Sequence, residues 1–174
     1  NESFQVWPLN PGIENFMTES ISGADQIGDF DIDYRSGDYR RIFDRREVYI
    51  AALTGDPVRA EQLREAMEII QTIDFAIAAA GDRLDRAEPY AAWEILKEVE
   101  EIAGDDRNFH RALSEVVPGI ARFVSNVDDA ETLEAEGNYA AALTRYAAAR
   151  QLFPASQVVA NGIERLANQM LEQA

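Results

Sequence analysis

Residues 107–156 read RNFHRALSEV VPGIARFVSN VDDAETLEAE GNYAAALTRY AAARQLFPAS, and their apolar spacing sets the fold class. Leu113, Val117, Ile120, Phe123, Val127 and Ala130 step by three and four, the spacing that draws one apolar stripe along a helix. Beyond the turn at Gly137, the same steps return in Ala142, Tyr146, Ala149 and Leu152. The unit is therefore a long helix, a turn and a shorter helix.

Outward from this stretch the unit recurs. A shift of 50 residues brings Ile13, Leu63, Leu113 and Ile163 into register, and with them Phe16, Ala66, Val116 and Leu166. Phe30 then meets Ala80 and Ala130, while Ile42 meets Ala92 and Ala142. Punctuation keeps the same interval. Asp56, Asp106 and Ser156 are residues whose side-chain oxygens cap the first turn of a helix, and Pro57 suits a first helical position. Gly37 and Gly137 mark the inner turns, with Ala87 at that place in the middle copy.

The pattern predicts helices at about 38–54, 57–85, 88–103, 107–135, 138–153 and 157–172, with a kink at Pro118, which lacks an N–H. The first copy is degraded, because Ser20 and Gly23 stand where other copies carry Ile70 and Ile73. Its long helix is expected to split into 11–21 and 24–36. Phe30, Ile32 and Tyr34 also alternate as a strand would, but a lone strand has no partner, and the helical reading is preferred.

A single hairpin cannot cover its own stripe, and stacked neighbours can. The expected organisation is an extended lead-in at 1–10 and one helical repeat domain at 11–174. Its copies fall at about 11–56, 57–106 and 107–156, with a cap at 157–174.

The segment from Phe123 to Ser156 resembles a tetratricopeptide (TPR) repeat, through Ala130, Gly137, Tyr139, Ala142, Tyr146, Ala149 and Pro154. Here the period is 50, against about 34 in that family, because the first helix is longer. The resemblance implies an all-α chain, a right-handed α-α superhelix of about three hairpins plus a C-terminal capping helix. It also implies a non-catalytic scaffold that binds a partner protein or peptide along the face lined by first helices. Carried onto this chain, that face holds Val124, Val127, Glu131 and Glu134, with Asp31, Tyr34 and Asp74 as further candidates.

Charge narrows the partner. The formal net charge is −16, from 32 acidic and 16 basic residues. Nucleic-acid binding needs a basic surface to displace phosphate counterions, so nucleic acid is not an expected partner. A neutral or basic protein segment is, and self-association is a further expectation. No stretch approaches the roughly 20 apolar residues of a membrane span.

The sequence carries no catalytic signature. There is no cysteine, and His110 is the sole histidine, outside any HExxH pattern. Nucleophile-elbow, Walker and dinucleotide fingerprints are missing, so no cofactor or enzyme activity is expected. Asp29, Asp31 and Asp33 open like a calcium loop, but Tyr34 replaces the sixth-position glycine and Arg40 the closing glutamate. Pairs such as Glu131 with Glu134 read as solvated faces, Trp93 as core, and Trp7 as lying outside the periodic region.

A second reading, from a different class, is a structural spacer or assembly module of a larger cell-envelope protein. Lys97 is the single lysine among 16 basic residues, a bias that suggests GC-rich coding. The chain begins at Asn1 without methionine, which favours a bacterial extracytoplasmic setting as an expectation.

Overall fold

The structure is a computed structural model and describes residues 25–172. The lead-in at 1–10, Trp7 and the expected helix at 11–21 lie outside the described residues. Residues 25–36 are helical (α1). They are followed by α2 (Tyr39–Asp44), α3 (Arg46–Ala52), α4 (Pro57–Asp85), α5 (Pro89–Ala103), α6 (Arg107–Ala135), α7 (Tyr139–Leu152) and α8 (Gln157–Glu172). Among the described residues there is no strand, so the class is all-α. No helix among them is long and apolar enough to cross a membrane.

The turns carry the 50-residue interval into the backbone. In three places a helix ends on a residue with positive φ, and the next N–H reaches back five residues. Asp38 N–H donates to Asp33 O at 3.0 Å, Glu88 to Arg83 at 2.9 Å and Asn138 to Leu133 at 2.8 Å. Each is the long bond of a Schellman cap, which satisfies a carbonyl that the helix end leaves free. The intervening residues are Gly37 (φ 75°), Ala87 (φ 60°) and Gly137 (φ 77°).

The other turns repeat as well. Asp56, Asp106 and Ser156 each accept from the backbone N–H three residues on, that of Arg59 at 3.1 Å, Phe109 at 2.9 Å and Val159 at 3.2 Å. Burial has the same period. Ala66, Val116 and Leu166 are buried, as are Phe30, Ala80 and Ala130, and Tyr49, Val99 and Ala149.

The structure departs from the expected helices in two places. The helix expected at 38–54 breaks at Arg45 (φ −103°, ψ 11°), whose N–H is shared between the carbonyls of Arg41 and Ile42. Its guanidinium is held by Asp29 at 3.1 Å and lies 5.1 Å from the centre of the Tyr49 ring. In α6 the kink expected at Pro118 falls two residues later, at Ile120 (φ −132°, ψ 24°).

The chain divides into two compact units, Asn1–Gln71 and Thr72–Ala174, and α4 contributes to both. In the first, Phe30, Ile42, Tyr49, Leu53, Leu63 and Ala66 form the core, with Ile27, Tyr34, Tyr39 and Met67 packed against it. Tyr49 sends its hydroxyl to the buried carboxylate of Asp33 at 2.9 Å. Burial, reinforced by that carboxylate, pushes the Tyr49 phenol up to about 12.

In the second unit α6 packs on both α5 and α7, and α8 packs on α7 with a smaller contact to α6. Trp93 and Tyr90 meet Phe123 edge to face at 5.2 and 5.4 Å, and Tyr90 stacks on Phe153 at 5.0 Å. Such ring pairs contribute about 0.5–1.5 kcal/mol each beyond their buried area. Trp93 is thus core, while its register partner Leu143 is exposed.

Candidate functional site

The residues that the resemblance marks for partner binding are placed as follows. Val127 is fully buried and has no surface to offer, and Val124 is half-buried. Glu131 accepts from Lys97 Nζ at 3.0 Å, and Lys97 also pairs with Glu100 at 2.7 Å. Burial opposes the charge on Lys97, and the two carboxylates outweigh it, so the ammonium stays above its ordinary range. Glu134 accepts from Arg165 Nε and Nη2 at 2.6 and 2.7 Å. That guanidinium holds the Glu134 carboxyl below the usual range, against its burial.

The acidic face of α6 is therefore an intramolecular seam. It fastens α6 to α5 at one turn and to α8 at the next. Glu131 and Glu134 are not the freely solvated pair that the sequence suggests.

In the first unit, Asp31 and Tyr34 line one cleft of about 440 Å³ together with Arg59 and Asp56. Arg59 grips Asp31 through two bonds of 2.8 and 2.9 Å and also pairs with Asp56 at 2.6 Å. Its hydrogen bonds keep the Asp31 carboxyl below the ordinary range. Tyr34 donates to Glu65 at 2.5 Å, and that bond raises the phenol to about 12. Asp74, half-buried on α4, falls in the second unit.

The aspartates of the calcium-like run point to separate partners: Asp29 to Arg45, Asp31 to Arg59 and Asp33 to Tyr49. Among the described residues no group of three acidic, histidine or cysteine side chains is placed to hold a metal. His110 is exposed beside the Phe109 ring at 5.7 Å.

An apolar recess lies elsewhere. Between the end of α3 and the first half of α4, a groove of about 780 Å³ is lined by Ile50, Leu53, Ala60, Leu63 and Met67. Leu53 and Leu63 form its floor and are buried, whereas Ile50 stands 55% exposed on its wall. Removing such a side chain from water is favourable at about 25 cal/mol per Å². The polar rim includes Asp56, Arg64 and Glu68. Arg64 is bonded to Glu61 on one side and Glu68 on the other, so the rim's cation is already neutralised by its own helix.

Local sequence builds this groove. Pro57 starts α4 directly after the Asp56 cap, with Gly55 at φ 91° making the turn. Ala60, at the mouth, is small and leaves the recess open. The groove escapes a search for motifs, but the 50-residue register contains a signal for it. Ile50 stands where the other copies have Glu100 and Arg150, and Met67 where the last copy has Ala167. An apolar residue replacing charge at an exposed register position marks the groove. No protein-family model matches the chain, and neither a curated protein nor a solved structure matches it.

Proposed function

We propose that this protein is a non-catalytic interaction module that docks a segment of a partner protein in the apolar groove between α3 and α4. The observation that carries the reading is the exposure of Ile50 over a floor of Leu53 and Leu63. The groove measures about 780 Å³. Its wall is apolar and its rim polar, the division found in interfaces that bury an apolar centre.

The same proposal extends to architecture: TPR-like hairpins stacked as a right-handed α-α superhelix, with α8 as the cap. Support comes from the Schellman bonds at Asp38, Glu88 and Asn138 and the caps at Asp56, Asp106 and Ser156, all at one interval. The partner face differs from the one the family resemblance implies, because the contacts of Glu131 and Glu134 are made within the chain.

A photo-crosslinking residue introduced at Thr54, on the groove, tests the reading against one at Ala140, an exposed position on α7. Irradiation in native extract is expected to give a discrete protein adduct from position 54 and none from position 140. No adduct, or the same adducts from both positions, overturns it.

A further inference from the structure

We infer that the occupant of the α3–α4 groove is an amphipathic helix of another protein, with an apolar stripe flanked by lysine and arginine. The inference rests on the docking role proposed above and adds the chemistry of the partner.

Shape comes first. The lining runs along α4 from Pro57 to Gln71, about 21 Å at 1.5 Å per residue. A helix of about 14 residues has that length. The groove's apolar side chains, Leu53, Leu63 and Met67, sit between two helices, so a third helix laid along them completes a helical layer. Helix-in-groove recognition takes this form, with anchors at i, i+3, i+4 and i+7.

Charge then separates the occupants that shape allows. Glu61 and Glu68 flank Arg64 along α4, leaving this strip net negative. Glu47 is exposed one turn before Ile50 on α3. A second copy of the chain brings a net charge of −16 against −16, so long-range repulsion opposes its approach. Residues 1–24 of the chain itself contain Glu2, Glu14 and Glu19 and neither lysine nor arginine, so they offer this rim no counter-charge. A cationic helix is drawn by the whole field and meets the carboxylates of Asp56 and Glu68 in the rim.

Synthetic peptides of about 14 residues test this with the intact chain. One carries leucines at helical spacing with lysines between them, one has the same composition with the leucines scrambled, and one replaces lysine by glutamate. A fourth peptide is residues 1–24 of this chain. Binding is read by fluorescence anisotropy against wild type, Ile50→Lys, Ala60→Lys and, as a control, Phe75→Lys. Positions 50, 60 and 75 are all exposed, so these changes leave the fold intact, which thermal melts verify.

The expected result is binding of the patterned lysine peptide alone, weakened by salt, and weakened about tenfold by Ile50→Lys or Ala60→Lys but not by Phe75→Lys. Equal binding of the scrambled peptide, or indifference to Ile50→Lys, overturns the inference in favour of unspecific charge attraction. Preference for the glutamate peptide or for residues 1–24 overturns it in favour of another occupant. Failure of every peptide also overturns it. If the Thr54 crosslink persists in any of those cases, the docking role stands and only the basic helix falls.

Discussion

Gly162 lies against the ring of Tyr146 so closely that a β-carbon at 162 would stand 2.7 Å from Cε1 and nearer still to Cζ. Tyr146 is buried on α7 and its hydroxyl accepts from Arg165 at 3.2 Å, so the ring has no room to withdraw. A glycine inside a helix costs about 1 kcal/mol relative to alanine, and here the close approach of α8 to α7 requires it.

Gly162→Ala is accordingly expected to destabilise the protein, the overpacking cost of about 1–3 kcal/mol exceeding the gain in helix propensity. In a Tyr146→Leu background the sign reverses and the alanine stabilises. Urea unfolding of the four variants in this cycle checks both signs.

Ala87 holds φ at 60° in the turn where its register partners are glycines. A side chain in that conformation costs about 1–2 kcal/mol. Ala87→Gly is expected to raise stability by about 1 kcal/mol, less the added entropy of the unfolded chain, while Gly137→Ala lowers it by a similar amount. Calorimetric melting of both variants decides the matter, and an Ala87→Gly protein that melts lower than wild type would contradict the shared turn geometry.

Ser156 caps α8 and also donates to Glu94 Oε1 at 2.6 Å, and Glu94 accepts from the N–H of Val158 at 3.3 Å as well. The cap thus ties the α7–α8 turn to α5. Ser156→Ala removes both bonds and is expected to cost about 1–2 kcal/mol. Glu94→Ala leaves the side-chain cap to Val159 in place and is expected to cost less. Chemical denaturation measures the difference, and equal costs would mean that the capping bond contributes no more than the Val158–Glu94 bond, which Glu94→Ala also removes.

The Glu134–Arg165 pair makes stability depend on pH. Because Arg165 lowers the Glu134 carboxyl in the folded state, the pair's contribution is complete above the unfolded glutamate value, about 4.3, and fades as pH falls through the folded value. Arg165→Met is therefore expected to destabilise at neutral pH and to approach wild type in acid. Unfolding free energies of the two proteins at a series of pH values test this. A constant gap across the series would assign the loss to packing alone.

Much of the fold was legible because apolar spacing and caps report the same backbone events. Asp56 and Asp106 announce the starts of α4 and α6, which begin at Pro57 and Arg107 as the pattern predicts. The break at Arg45 was not legible, since it depends on Asp29 and Tyr49 meeting one guanidinium across 16 and 4 residues. The candidate site was legible only by contrast: Ile50 gains meaning beside Glu100 and Arg150. Glu131 and Glu134 misled because pairing with Lys97 and Arg165 is a tertiary event, 34 and 31 residues away in sequence.

Amide hydrogen exchange on the protein with and without its crosslinked partner is the most direct test of the groove. Slowed exchange is expected in peptides covering residues 50–71, with unchanged exchange across residues 123–135. Protection confined to the latter stretch, or none at all, would contradict it.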